Sequence, residues 1–196
     1  MPQPKPQKKK ELKVDTKALQ AKENKLCSDL VESPTSKNKY KLLQNQIKEL
    51  EKANASYKQV NVRCMELILS LKVPQKMQWR VFLDMADFAK RESKFDEARY
   101  LFQLVASMQP FAYQGWLEFS KMEEECGNQQ KSLDILLNGL KFNPLNENLF
   151  IKSIKVQERM GNFKEIRQMI DDLKQKEMSI EKTWRILLEG ALFEGR

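Results

Sequence analysis

A chain of 196 residues with 41% hydrophobic and 32% charged content has the size and make-up of one soluble helical unit plus a tail. It contains no histidine, which excludes Ser-His-Asp and Cys-His catalysis and any histidine-ligated metal site. Its net charge of +8 is confined to the N-terminal part: residues 1–37 carry nine Lys against five acidic groups and residues 38–73 seven basic against three, while residues 74–115 hold +1 and residues 116–196 hold −1. Any nucleic-acid contact is therefore expected of the N-terminus, and the remainder is a neutral platform.

Residues 1–37 open with Pro2, Pro4 and Pro6 and end near Ser33-Pro34-Thr35-Ser36. That composition buries too little surface to offset ordering, so the segment is predicted to be disordered, with at most a transient helix around residues 19–31. Lys5 and the run Lys8, Lys9 and Lys10 form a basic tail. It reads as a nuclear address, as an RNA-phosphate arm or as a plain solubilising tail, and it cannot specify a base sequence. No apolar stretch nears the roughly 20 residues of a membrane helix, so neither membrane insertion nor Sec export is expected. Cys27, Cys64 and Cys126 lie too far apart for a zinc knuckle and read as free intracellular thiols.

Residues 38–73 are predicted to be one long helix. A heptad runs through Tyr40, Leu43, Ile47, Leu50, Asn54, Tyr57, Asn61, Cys64, Ile68 and Leu71. Two Asn at core-type places weaken a strict coiled coil. They favour a docking helix on the next domain, with a short pairing seam over residues 40–57. Pro74 ends it.

From Gln78 a 34-residue period governs the chain. Phe82, Trp116, Phe150 and Trp184 share one register, as do Pro110 and Pro144, and as do Gly127, Gly161 and Gly195, with Ser93 at the earlier equivalent place. Ala98, Ser132 and Ile166 fall in step, followed by Phe102, Leu136 and Ile170. Each period reads as a helical hairpin. Trp116, Phe119, Met122 and Cys126 make an amphipathic first helix, Gly127-Asn128 stops it, Leu133, Leu136, Leu137 and Leu140 stripe the second helix, and Asn143-Pro144 closes the unit. A lone hairpin cannot bury both faces, so about three and a half hairpins over residues 74–196 are predicted to stack into an all-α, right-handed superhelical solenoid. The repeated aromatic should wedge between helices of the same and the adjacent hairpin.

This register resembles the tetratricopeptide (TPR) repeat. The second unit, with Trp116, Phe119, Met122 and Glu123 in order before Gly127 and Pro144, is similar to the half-a-TPR (HAT) repeat. The first unit has Ala89 at the place of the HAT glutamate, and the third has Ser153 and Gln157 where an aromatic and that glutamate stand. The HAT resemblance implies a nuclear scaffold holding protein partners in a multi-subunit RNA-processing or ribosome-assembly complex, with homodimers common in the family. The TPR resemblance implies instead a cytoplasmic or cytoskeletal adaptor that takes an extended acidic peptide in its concave groove. A third reading is RNA binding through the tail.

In TPR-like solenoids the first helix of each hairpin lines the concave face. The candidate partner-binding residues are therefore Arg80, Asp87, Lys90 and Arg91, then Gln114, Lys121 and Glu125, then Asn148, Lys155 and Arg159. Lys121 and Lys155 form either a basic ladder for an acidic peptide or, by the favoured reading, solvated positions compensated by Glu124, Glu125 and Glu158. Leu83, Leu117 and Ile151 are a peptide groove or, slightly favoured, core. Trp79, Phe82, Trp116, Phe119, Phe150 and Trp184 lie on apolar stripes, where packing explains them better than base stacking.

No GxGxxG or Walker loop is present, so nucleotide has no cradle. The runs Glu123-Glu124-Glu125 and Asp171-Asp172 point in different directions around a helix and read as solvated faces. A non-enzymatic protein without a cofactor is expected. The array stops within a fourth hairpin at Gly195-Arg196, and the apolar Leu187, Leu188, Leu192 and Phe193 need covering, which either a longer chain or a dimer would supply.

Overall fold

The computed structural model describes residues 36–175 and 180–195. The tail with Lys5, Lys8, Lys9 and Lys10, and the transient helix over residues 19–31, lie outside the described residues. Those residues divide into two compact units that meet at Val73 and Pro74.

In the first unit the single long helix expected over residues 38–73 is two helices, α1 (Ser36–Lys52) and α2 (Tyr57–Ser70), which pack on each other as a hairpin. The break falls at Asn54, whose φ of 52° is left-handed. Asparagine tolerates that conformation, and the Ala55 N–H donates to the Leu50 carbonyl at 3.0 Å to close the turn. The Ser56 N–H then donates to Gln59 Oε1 at 2.9 Å, which starts α2. Leu43, Ile47 and Leu50 on α1 are buried, as are Val60, Cys64, Leu67 and Ile68 on α2. The heptad positions thus mark one buried face on each of two helices.

The second unit alternates first and second helices: α3 (Gln75–Arg91) with α4 (Phe95–Met108), α5 (Tyr113–Glu125) with α6 (Gln129–Phe142), α7 (Glu147–Met160) with α8 (Phe163–Gln175), and then α9 (Ile180–Glu194). The same turn joins each pair. Ser93, Gly127 and Gly161 have φ of 58°, 80° and 77°, and the next N–H donates five residues back, from Lys94 to Ala89, Asn128 to Glu123 and Asn162 to Gln157. The closing turn is also tied down, because Trp116 Nε1–H and Asn143 Nδ2–H both donate to the Pro110 carbonyl at 2.9 Å.

Each hairpin packs on the next through α4 with α5 and α6 with α7, while α9 packs on α7 and α8. The backbones of the successive first helices α3, α5 and α7 approach one another closely, whereas those of α4, α6 and α8 stand further apart. The stack is therefore tighter on the first-helix side, which makes that side the inner one.

Side chains in register occupy equivalent core places. Ala98, Ser132 and Ile166 are fully buried, small residues in two hairpins and isoleucine in the third. Phe102 stacks on Phe119 across two hairpins, with centroids 5.5 Å apart. Phe82 and Phe150 are buried, and Trp116 is half-buried against Leu133, Leu136 and Leu149. Trp184 differs: it is 48% exposed, so the expected wedge is not formed there. Trp116 and Phe150 pack with residues of the second helix of their own hairpin, and no described helix occupies that place beside α9.

Candidate functional site

The inner face is built from the first helices, and its chemistry follows from how the period places charge. The turn of each hairpin fixes the end of the first helix, so residues 34 apart stand side by side on neighbouring helices. Ion pairs then join every consecutive pair of first helices. Lys90 of α3 reaches Glu125 of α5 at 3.3 Å. Glu124 of α5 meets both Lys152 and Arg159 of α7. Lys155 of α7 lies 3.6 Å from Glu189 of α9, and Arg185 of α9 lies 3.4 Å from Glu147 of α7. Lys90 with Glu125 and Glu124 with Arg159 occupy the same relative places one hairpin apart, with the signs reversed.

Of the residues expected to face a partner, Arg80, Arg91, Gln114 and Asn148 are exposed. Arg80 lies 5.2 Å from the Trp79 ring centroid, and Arg91 lies 5.9 Å from that of Phe88. Lys121, Lys155 and Arg159 are part-exposed at their side chains, and Lys90 is more enclosed. Lys121 pairs with Glu118 at 2.8 Å, and Lys155 lies 3.6 Å from Glu189. Leu117 and Ile151 are half-buried against the cores of the second and third hairpins, and Leu83 is half-buried too.

The acidic run does not lie on one solvated face. Glu123 is fully buried, Glu124 is largely enclosed beneath Lys152 and Arg159, and Glu125 alone is well exposed while bound to Lys90. Glu123 accepts from Arg99 of α4 at 2.7 Å, from Lys131 of α6 at 2.8 Å and from Asn128 at 2.8 Å. Burial pushes its carboxyl up, but those three donors outweigh it and hold the pKa down at about 2. Nothing in the local spacing announces this, because Arg99 lies 24 residues away on another hairpin.

Two ionisable groups on the inner face are shifted by their surroundings. Asp87 on α3 is pushed up to about 6, by burial first and then by the Glu118 carboxylate, against the pull of Lys90 and Arg91. Further along, Lys152 is pushed down by burial and by the neighbouring Lys121 and Lys155 ammonium groups. Groups of both signs thus interleave along α3, α5 and α7, with Asp84 and Asp87 among Lys90 and Arg91, and Lys121, Lys152 and Lys155 among Glu118, Glu124 and Glu125. Such a lane suits a protein surface or segment carrying both signs of charge. Among the described residues no group of His, Cys, Asp or Glu could hold a metal ion, and no helix is long and apolar enough to cross a membrane.

Residues 72–196, which take in the whole second unit, match the family described as PRP6, TPR-like domain. The chain belongs to that family. Repeats of this type mediate contacts between proteins. A TPR-containing protein of Dictyostelium discoideum is 43% identical over 170 residues, which cover 86% of this chain. The match spans only 12% of that relative's length. It includes residues outside the repeat unit, since 170 residues exceed the 125 of the family match.

Proposed function

We propose that this protein is a non-catalytic scaffold that holds protein subunits together in an RNA-processing or ribosome-assembly complex of the nucleus. The observation that carries the reading is the PRP6, TPR-like domain family match over residues 72–196, since PRP6 is a splicing factor with HAT repeats. The inner face supports it: its charged side chains are tied between neighbouring helices, so it offers a stiff, patterned surface that a partner meets without ordering many long side chains first.

Affinity purification of the full-length protein with nuclease treatment and mass spectrometry tests the reading. Recovery of RNA-processing proteins after nuclease, unchanged on deleting residues 1–37, is the expected result. Loss of every ribonucleoprotein component on nuclease or on that deletion would assign the activity to tail-mediated RNA binding. Recovery of cytoplasmic or cytoskeletal clients alone would favour the peptide-binding adaptor.

A further inference from the structure

The turn between α4 and α5 and the end of α6 display aromatic rings that the core does not use. Phe111 is 68% exposed and Phe142 44% exposed. Their ring centroids lie 6.0 Å apart with the planes at 88°, and Phe142 in turn stacks on Trp116 at 6.1 Å and 13°. Two rings at right angles make an open corner with two aromatic walls. The equivalent places one hairpin away are put to other use: Leu145, 34 residues after Phe111, packs against the core of the third hairpin, and Met108, 34 before Phe142, is half-buried. The corner is also stiff. Trp116 Nε1–H from α5 and Asn143 Nδ2–H from the end of α6 both hold the carbonyl of Pro110, the residue before Phe111. Large apolar side chains held exposed on a pinned turn mark a contact surface whose ordering cost is already met in the free protein.

We propose that this corner docks an uncharged, proline-bearing extended segment of a partner protein. The site lies at the turns between hairpins and not on the inner face, so it goes beyond the scaffold reading and does not depend on it. Three features of the corner select the occupant. The first is charge. Residues 101–117 and 142–146, which build the corner, contain no charged residue in a chain that is 32% charged. Lys141, the nearest in sequence, is tied to Asn138 Oδ1 at 2.8 Å. A nucleic acid would find no cation for its phosphates, and an amphipathic helix would find no partner for the charges that flank its apolar stripe.

The second feature is hydrogen bonding. A polyproline II segment has no internal hydrogen bonds, so its carbonyls need donors wherever docking displaces water. Gln109 and Gln114 stand on either side of Phe111 in the chain, are exposed, and offer amide N–H groups without charge. The third is shape. A helix is about 10 Å across and cannot enter a corner between rings in edge contact. A pyrrolidine ring is small and rigid enough to stack on one wall with its edge against the other, and the preformed polyproline II conformation leaves little to order on binding. One corner is a small contact, so the affinity is modest and serves to recruit a segment whose parent protein makes other contacts.

Titration of the nitrogen-15-labelled full chain with acetylated, amidated decaproline, followed by chemical shift, tests the proposal. Saturable shifts should appear at Phe111, Phe142, the Trp116 indole N–H and the side-chain amides of Gln109 and Gln114. Phe111→Ser should raise the Kd at least about tenfold and Phe111→Tyr by less than about threefold, with melting temperature unchanged because the ring is exposed. Raising the salt about tenfold should change the Kd by less than about twofold, since no charge takes part. The wild-type shift map locates the site without any variant, which keeps the proposal testable if a substitution disturbs the fold. Absence of saturable shifts overturns it, as does binding that maps elsewhere, ignores Phe111→Ser or is matched by a glycine-serine peptide of the same length. Three further results would also overturn it by giving the corner another occupant: tighter binding of an amphipathic helical peptide at the same residues, self-association of the wild type that Phe111→Ser removes, or tighter decaproline binding once Pro2, Pro4 and Pro6 are replaced by Ala, which would assign the corner to the chain's own N-terminus.

Discussion

Arg99 on α4 holds Glu123 on α5 through two hydrogen bonds, Nε to Oε1 at 2.7 Å and Nη2 to Oε2 at 3.3 Å, around a carboxylate with no exposed surface. Lys131 and Asn128 complete the shell, so one side chain ties α4, α5 and α6 together. The same place holds Ala89 in the first hairpin and Gln157 in the third, both buried, with Gln157 Nε2 donating to Met169 Sδ at 2.9 Å. A buried charge is tolerable at the middle position because three donors surround it.

Removing one partner should therefore cost more than removing both. Arg99→Leu is expected to destabilise by about 3 kcal/mol, because it leaves the Glu123 carboxylate short of its main donor in the core. Adding Glu123→Leu should recover most of the loss, since an apolar pair of similar volume needs no compensation. Urea unfolding of the two single variants and the double variant measures the cycle.

Stability should depend on pH through two carboxyls acting in opposite directions. Asp87 is raised from an ordinary 3.8 to about 6, so the folded chain holds that proton more tightly than the unfolded one. Its contribution is fully present below 3.8 and is lost as pH rises through about 6. Glu123 is lowered from 4.5 to about 2, so its contribution is present above 4.5 and is lost as pH falls through about 2. Urea midpoints followed from neutral to acid pH should rise first for wild type, and that rise should be missing from Asp87→Asn. The later fall should be reduced in Glu123→Gln.

The left-handed turns give a paired test with opposite signs. Ser93 adopts φ 58° where the other two hairpins place glycine. Ser93→Gly should raise stability by about 0.5–1 kcal/mol, because a left-handed conformation strains any residue with a Cβ. Gly127→Ala should lower it by about 1 kcal/mol through the same strain, as the space around Gly127 is open and nothing clashes. Thermal melts of both variants check the pair.

Gly139 tests packing and not backbone. An added Cβ would stand 2.9 Å from Trp116 and 3.2 Å from Leu149 Cδ1. Gly139→Ala should cost about 1–2 kcal/mol despite the gain of alanine in a helix, since overpacking in a close-packed core outweighs propensity. Combining it with Trp116→Phe should cost less than the sum of the two single changes.

The repeat was legible in the sequence because glycine, proline and aromatic residues serve as punctuation that few physical arrangements allow. One period placed Gly127, Gly161, Pro110 and Pro144 in their turns, and it placed Phe82 and Phe150 in the core. The break at Asn54 was not legible. Neither glycine nor proline marks it, and apolar residues continue in phase through both flanking helices. The burial of Glu123 was hidden for a different reason: a carboxylate reads as solvated until its donors are found, and these are Arg99 on α4 and Asn128 with Lys131 at the start of α6. The inner-face ion pairs were missed likewise, because Lys90 and Glu125 become neighbours only through stacking of hairpins. Trp184 kept the register but not the burial, since burial depends on a covering helix and not on the aromatic itself.

The central claim is that the inner face of the repeats, and not the basic tail, engages protein partners. Cross-linking mass spectrometry on the purified full-length complex, using a lysine-reactive reagent after nuclease treatment, tests it most directly. Partner cross-links concentrated on Lys90, Lys121, Lys152 and Lys155, to subunits of an RNA-processing assembly, are the expected result. Cross-links confined to Lys5, Lys8, Lys9 and Lys10, or absent once RNA is digested, would contradict it.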